Sequence, residues 1–345
     1  MVKFCSKACC DGLRRCCAPS RNPHVLPCTL WFLAGARLAS LGLTTVFEQN
    51  FIRLFAGALF FILTVPALAA ITVTGADHQS ITLAAPAQRI VSLAPDLTEL
   101  AYAAGAGAQM VGADSYSNYP PTAKKLPRIG DAFRVDLERL VALKPDLILA
   151  WQGGTPSTVI ERLRSLGLDV LVIGNDRLVD IARNLELIGR ITGHDAETHA
   201  AAQQFLDGLE TLRKQYAGRA PVRVFYEISS MPLYTVGGKQ IISHMIELCG
   251  GRNIFSDLKE LAAPVSLESV LARDPQAIVT GSDEGVTDRL KEWQRWQQIG
   301  AVRTDSLFSI SSDLLARATP RILQGGNQLC EDLEKARERR KETSG

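Results

Sequence analysis

Apolar positions along this chain keep two alternating rhythms. Short apolar runs such as Arg89-Ile90-Val91-Ser92-Leu93 and "DLILAW" (146–151) have the length and β-branched content of buried strands. Between them, apolar residues recur three and four apart, the helical period. "DLTELAYAAGAG" (96–107) reads as a helix with Asp96 at its N-cap, Glu99 at the capping-box spacing and Gly105 as its stop. "QMVGADS" (109–115) reads as the next strand, followed by a long aromatic, proline-rich loop, "YSNYPPTAKKLPRIGDAFR" (116–134). "GGTPSTVIERLRSLGLDVLVIG" (153–174) adds a further helix and strand. Strands alternating with helices predict a parallel sheet covered on both faces.

One phrase occurs twice. "VDLERLVALKPDLILA" (135–150) and "VSLESVLARDPQAIVT" (265–280) share Val, Leu, Glu, Ala, Pro and Ile at matching places. Each predicts a cap, a short helix, a proline stop and a strand, with Asp136 and Ser266 as the caps. Glu138 and Glu268 stand at the same place in the two phrases. A first-turn carboxylate complements the helix dipole, a modest effect of about 0.3–1 kcal/mol. The other reading is a matched pair of negative posts for a partner with two similar halves.

Residues 178–217 carry no strand signal, and Ile181, Leu185, Ile188, Phe205, Leu209 and Leu212 follow helical spacing. A long helical connector, interrupted near Gly193-His194-Asp195, is predicted. The βα order then restarts with "VRVFYEIS" (222–229) and closes with a helix in "TPRILQGGNQLCEDLEKARERR" (319–340). The expected fold is α/β: two Rossmann-like lobes, 86–176 and 219–340, joined by a helix at 177–218, with a cleft between them. Ligands bind in such clefts, beyond the C-terminal ends of strands.

Composition adds a compartment. Six of the eight cysteines lie in the first 28 residues, without metal-ligand spacing. Residues 51–69 have the pattern of a signal peptide: Arg53, an apolar core from Leu54 to Val65, and small residues at Ala67 and Ala69. Cleavage is expected between Ala69 and Ala70. Residues 1–50 then read as a start-site artefact or an N-terminal extension. The mature chain keeps Cys249 and Cys330, which form either one bridge or two buried thiols. A soluble periplasmic protein is expected. A net charge of +2 suggests no nucleic-acid partner.

Catalytic motifs are absent. The chain has no G-x-x-x-x-G-K-[ST] and no G-x-S-x-G, and "GAGAQMVG" (105–112) does not satisfy G-x-G-x-x-G. His194 and His199 are five apart and point to different sides of a helix, so no metal site is expected. Candidate ligand contacts are Tyr116, Phe133, Trp151, Tyr234, Asp313 and Arg317, all placed at strand C-terminal sides. Such a set suits a large, flat, partly apolar ligand.

In order and separation, "APDLTELAYAAG", "SYSNYPP", "DLERLVALKPDLILAWQGG", "IELCGGRNIF", "VSLESVLARDPQAIV" and "SSDLLARATPRI" resemble the periplasmic binding proteins for iron-siderophores, haem and cobalamin that feed ABC importers. The likeness covers about residues 86–334 and is closest to the cobalamin-binding members. It implies two lobes on a rigid helix and capture of cobalamin or a related corrinoid as transported ligand, with no cofactor. It implies delivery by a monomer to a permease dimer with its ATPase subunits. It places Tyr116, Trp151, Tyr234, Asp313 and Arg317 in the cleft, Glu138 and Glu268 against permease arginines, and Cys249 with Cys330 in a disulfide. Where those members carry tryptophans, this chain has Ala132, Ala262 and Leu314, a thinner aromatic lining. A haem or ferric-siderophore binder is the alternative within the family. An α/β enzyme using the cleft is the alternative outside it.

Overall fold

The computed structural model describes residues 70–131, 133–282 and 289–344. The expected signal peptide, the segment before it and Ala132 lie outside the described residues.

A hairpin of β1 (Ile71–Thr74) and β2 (Ser80–Leu83), which the apolar pattern did not announce, precedes the first lobe. That lobe is a parallel sheet in the order β4-β3-β5-β6, from β3 (Ile90–Ser92), β4 (Met110–Ala113), β5 (Leu147–Trp151) and β6 (Val170–Ile173). Three helices connect these strands or lie between them: α1 (Pro95–Ala103), α2 (Leu137–Ala142) and α3 (Ser157–Ser165). Successive residues of each strand enter different cores, as period-two geometry requires. Leu147 and Leu149 join one cluster, and Ile148 and Ala150 the other.

The second lobe repeats the plan. Strands β7 (Val222–Ser230), β9 (Gly251–Asn253), β11 (Ala277–Gly281) and β12 (Leu307–Ile310) pair in parallel in the order β9-β7-β11-β12. An antiparallel addition, β8 (Leu233–Val236) and β10 (Ala262–Pro264), extends the sheet beside β7. Tyr234 therefore lies in a strand and not in a loop. The helices here are α6 (Ile241–Leu248), α7 (Leu267–Arg273), α8 (Arg289–Trp293), α9 (Gly300–Arg303), α10 (Ser312–Leu315) and α11 (Ile322–Ser344).

The duplicated phrase is one physical device used twice. The Asp136 carboxylate accepts the Arg139 N–H at 2.9 Å, and the Ser266 hydroxyl accepts the Ser269 N–H at 3.2 Å. Both phrases reach their proline through a residue of positive φ, Lys144 at 49° and Asp274 at 42°. An arginine at the start of the neighbouring strand closes the device in each lobe, Arg89 just before β3 and Arg223 as the second residue of β7. Arg89 donates to the Leu143 carbonyl at 2.6 Å, and Arg223 donates to the Asp274 carbonyl at 2.6 Å. These bonds satisfy orphan carbonyls at the helix ends. The equivalence holds in register, with Ile90 opposite Leu147 and Val224 opposite Ala277.

Two predicted features differ. The N-cap of α1 is Ala94, and Pro95 is the first helical residue. Proline favours that position because its missing N–H would have had no helical partner. Asp96 consequently moves into the first turn. The connector is two helices, α4 (Asp180–Thr192) and α5 (Asp195–Tyr216), because Gly193 takes φ 80° and ends the first. Helix α4 packs on α1 and β1, whereas α5, about 33 Å long, packs on α6 and α11. Ile181, Leu185, Ile188, Phe205, Leu209 and Leu212 are all buried in one continuous core that also takes residues from both sheets.

A disulfide joins Cys249, at the end of α6, to Cys330 in α11 across 81 residues. Closing a loop of that length stabilises by about 4 kcal/mol in the chain-entropy account. Replacing both cysteines by alanine is expected to lower the thermal midpoint by roughly 10 °C. A melt of the double variant that overlays the wild type would remove this contribution.

Candidate functional site

A cavity of about 360 Å³ opens between the two sheets. Its walls come from the C-terminal ends of parallel strands in both lobes, where helices begin and backbone groups point outward. From the first lobe, Asp96 follows β3, Trp151 ends β5 with Gln152 just after it, and Asn175 and Asp176 follow β6. From the second come Tyr226 and Glu227 of β7, Gly281 of β11 and Ser312 after β12. Leu261 and Ile228 add exposed apolar surface.

Trp151 is set by the residues that follow it. Its backbone N–H donates to the Thr155 hydroxyl at 3.1 Å, and its ring folds over Gly154. A Cβ at Gly154 would lie 1.7 Å from Trp151 Cε3, so no other residue fits beneath the ring. Glu227 is buried in the opposite wall, accepting from Trp293 Nε1 at 2.7 Å and from the Ser230 hydroxyl at 2.8 Å. The Asn175 side-chain oxygen accepts from Asn184 at 2.6 Å, while its buried amide nitrogen has no partner among the described residues. A ligand oxygen brought to that wall would satisfy it.

The expected contact residues fall into three settings. Trp151 lines the cavity. Tyr234 is half-buried and, two residues from the cavity-lining Val236 on β8, shares its strand face. Tyr116 and Phe133 are 67% and 75% exposed on first-lobe loops and are not among the lining residues. Asp313 and Arg317 flank the lining residues Ser312 and Ala316, but their charges are already engaged. Ala262, where an aromatic was noted as missing, does line the cavity.

That engagement is a cluster joining the lobes. Arg317 donates to Glu99 at 2.6 Å and to the Asn118 side-chain oxygen at 2.7 Å, and pairs with Asp313 at 2.6 Å. Arg321 and the Thr319 hydroxyl also donate to Glu99, at 3.1 and 3.2 Å. Asn118 donates to Asp313 at 2.9 Å, and the Arg321 guanidinium lies 3.7 Å from the Tyr119 ring centre. The sequence reading took Glu99 only for a capping-box residue. Nothing in the local sequence marked the difference, because residues 96–101 of α1 are all buried and the partners of Glu99 lie in the other lobe.

Asp96 differs from Glu99 in having no ion pair among the described residues. It is 8% exposed and is held by backbone N–H groups at the start of α1. Burial pushes its carboxyl up to about 6, partly offset by those N–H groups and by Arg317.

Comparison with known proteins follows the same lines. A family model described as periplasmic binding protein matches residues 90–314. The chain is 38% identical over 246 residues to the vitamin B12-binding protein of Vibrio cholerae serotype O1, spanning 71% of this chain and 88% of that one. The match to the vitamin B12-binding protein of Yersinia pestis is also 38%, over 247 residues, spanning 72% and 86%. Among solved structures, the periplasmic vitamin B12-binding protein BtuF of Vibrio cholerae gives a TM-score of 0.68 at 38% identity, covering 73% of this chain and 98% of that one. The periplasmic haem-binding protein RhuT from Roseiflexus sp. RS-1 gives 0.66 at 23% identity, over 72% and 98%, and shares the fold.

Asp96 yields a signed expectation. Its folded value lies above its unfolded one, so its contribution is fully present below the ordinary carboxylate range. That contribution is lost as pH rises through about 6. Asp96→Asn should therefore gain stability over wild type as pH rises from about 4 to about 7, by up to about 3 kcal/mol. Denaturant unfolding at both ends of that range, with an unchanged difference, would contradict it.

Proposed function

The chain belongs to the periplasmic binding protein family, and from that premise we propose that it captures cobalamin or a related corrinoid in the cleft. It then delivers the ligand, as a periplasmic monomer, to the permease dimer of an ABC importer whose ATPase subunits supply the energy. The observation that carries this reading is the cavity itself. Strand ends of two lobes converge on it with Trp151, in a chain 38% identical to proteins named for binding vitamin B12.

The chemistry suits a corrin ring with peripheral amides. The Trp151 ring and the exposed Leu261 offer apolar contact to a flat macrocycle. The unpartnered Asn175 nitrogen suits an amide oxygen, and the carboxylates of Asp96 and Asp176 suit amide N–H groups. Tyr116, Phe133 and Tyr234 extend the grip from loops and from β8, and Asp313 and Arg317 hold the end of the cleft. The shared core across both lobes leaves little freedom for hinge closure, so the site stands largely preformed.

Glu138 and Glu268 are assigned to docking. Each is exposed in the first turn of its helix, and neither makes an ion pair among the described residues. Its own backbone N–H and the Ser266 hydroxyl hold the Glu268 carboxyl below its usual range. Two such posts, one per lobe, match a permease with two similar halves.

Titration calorimetry with cobalamin is expected to give one site per chain, and a flat trace would end this reading. Trp151→Ala should weaken binding about tenfold or more, and unchanged affinity would take Trp151 out of the contact surface. Replacing Glu138 and Glu268 together by alanine should leave ligand affinity unchanged and reduce uptake by cells about tenfold. Undiminished uptake would remove the docking role.

A further inference from the structure

The charges around the cavity are unbalanced. Asp96, Asp176 and Glu227 line it, and Lys239 is the single cationic lining residue among the described residues. Of the three acids, Glu227 is hydrogen-bonded to Trp293 and Ser230, and Asp176 is exposed to water. Asp96 is 8% exposed and is held only by backbone N–H groups at the start of α1, with no side-chain partner among the described residues. On its own helix, Glu99 lies one turn on and is taken up by Arg317 and Arg321. From the segment after α10, Arg317 attracts Asp96 only at long range, because its guanidinium is spent on Glu99, Asp313 and Asn118. From the loop after β4, Asp114 repels it. Its carboxylate is thus a buried negative charge on a ligand wall without a counter-ion.

We propose that Asp96 is a specificity residue of the cleft that favours a corrinoid bearing positive charge at its metal over one that is neutral there. The inference rests on the corrinoid reading above. Seating any large ligand removes the remaining water from this wall, which raises the cost of the anion. A neutral corrinoid can offer its amide N–H groups to the carboxylate but leaves the charge itself unbalanced. A cationic ligand supplies the missing counter-charge, and low local dielectric strengthens the attraction. A group that titrates near 6 confines the preference to the pH range in which it is ionised.

Aquacobalamin and cyanocobalamin make a matched pair of probes. They differ in one axial ligand, water or cyanide, and in one unit of charge. Wild type should bind the aqua form about tenfold tighter near pH 7, and the preference should shrink towards unity near pH 5. Asp96→Asn, and Asp96→Ala as a second variant, should bind both forms alike at both pH values, with thermal melts showing that each variant is folded. Equal wild-type affinities near pH 7 would overturn the inference and leave corrinoid capture intact. So would a preference that survives in the folded Asp96 variants, as direct coordination of cobalt by an imidazole would produce. Failure of wild type to bind either probe would remove the corrinoid reading and this inference with it.

Discussion

Glu99 holds the two lobes in register. Its carboxylate, 3% exposed, receives Arg317, Arg321 and Thr319 from the far lobe, and Asn118 and Asp313 complete the lattice around Arg317. Desolvating such charges is costly, and only dense pairing offsets it. Removing one member would strand the others, at about 3–5 kcal/mol. The cluster therefore tolerates one arrangement of the lobes and penalises others. The cavity lies beside it, between strand ends whose spacing the cluster sets.

The apolar core works in the same direction. One cluster runs from β3 and β5 through α4 and α5 into β7, β11 and α11, so the lobes share an interior instead of meeting at a hinge. The Cys249–Cys330 bridge ties α6 to α11 within that interior. A preformed cleft loses less conformational entropy on capture than one that must close.

Much of this was legible in the sequence. Short continuous apolar runs marked the parallel strands, and 3.6-residue spacing marked the buried faces of the connector. The duplicated phrase marked two equivalent caps, both now seen bonded as Asp136 and Ser266. What was not legible was long-range. Asp96 and Glu99 looked like a local capping pair, yet Pro95 starts the helix and Glu99 pairs 218 residues away. The arginines Arg89 and Arg223 fall outside the phrase and extend its symmetry only once the strands are paired. Strand β8, which carries Tyr234, pairs antiparallel with β7 just after Met231-Pro232, a neighbour that the alternating strand–helix order did not announce. The complete break at Gly193 needed backbone geometry, since helical spacing continues on both sides.

The most direct test is a crystal structure of the chain grown with cyanocobalamin. The account predicts one corrin per chain between the lobes, in contact with Trp151, with the Glu99 pairs to Arg317 and Arg321 unbroken. A corrin bound elsewhere, or lobes rotated apart with those pairs opened, would contradict it.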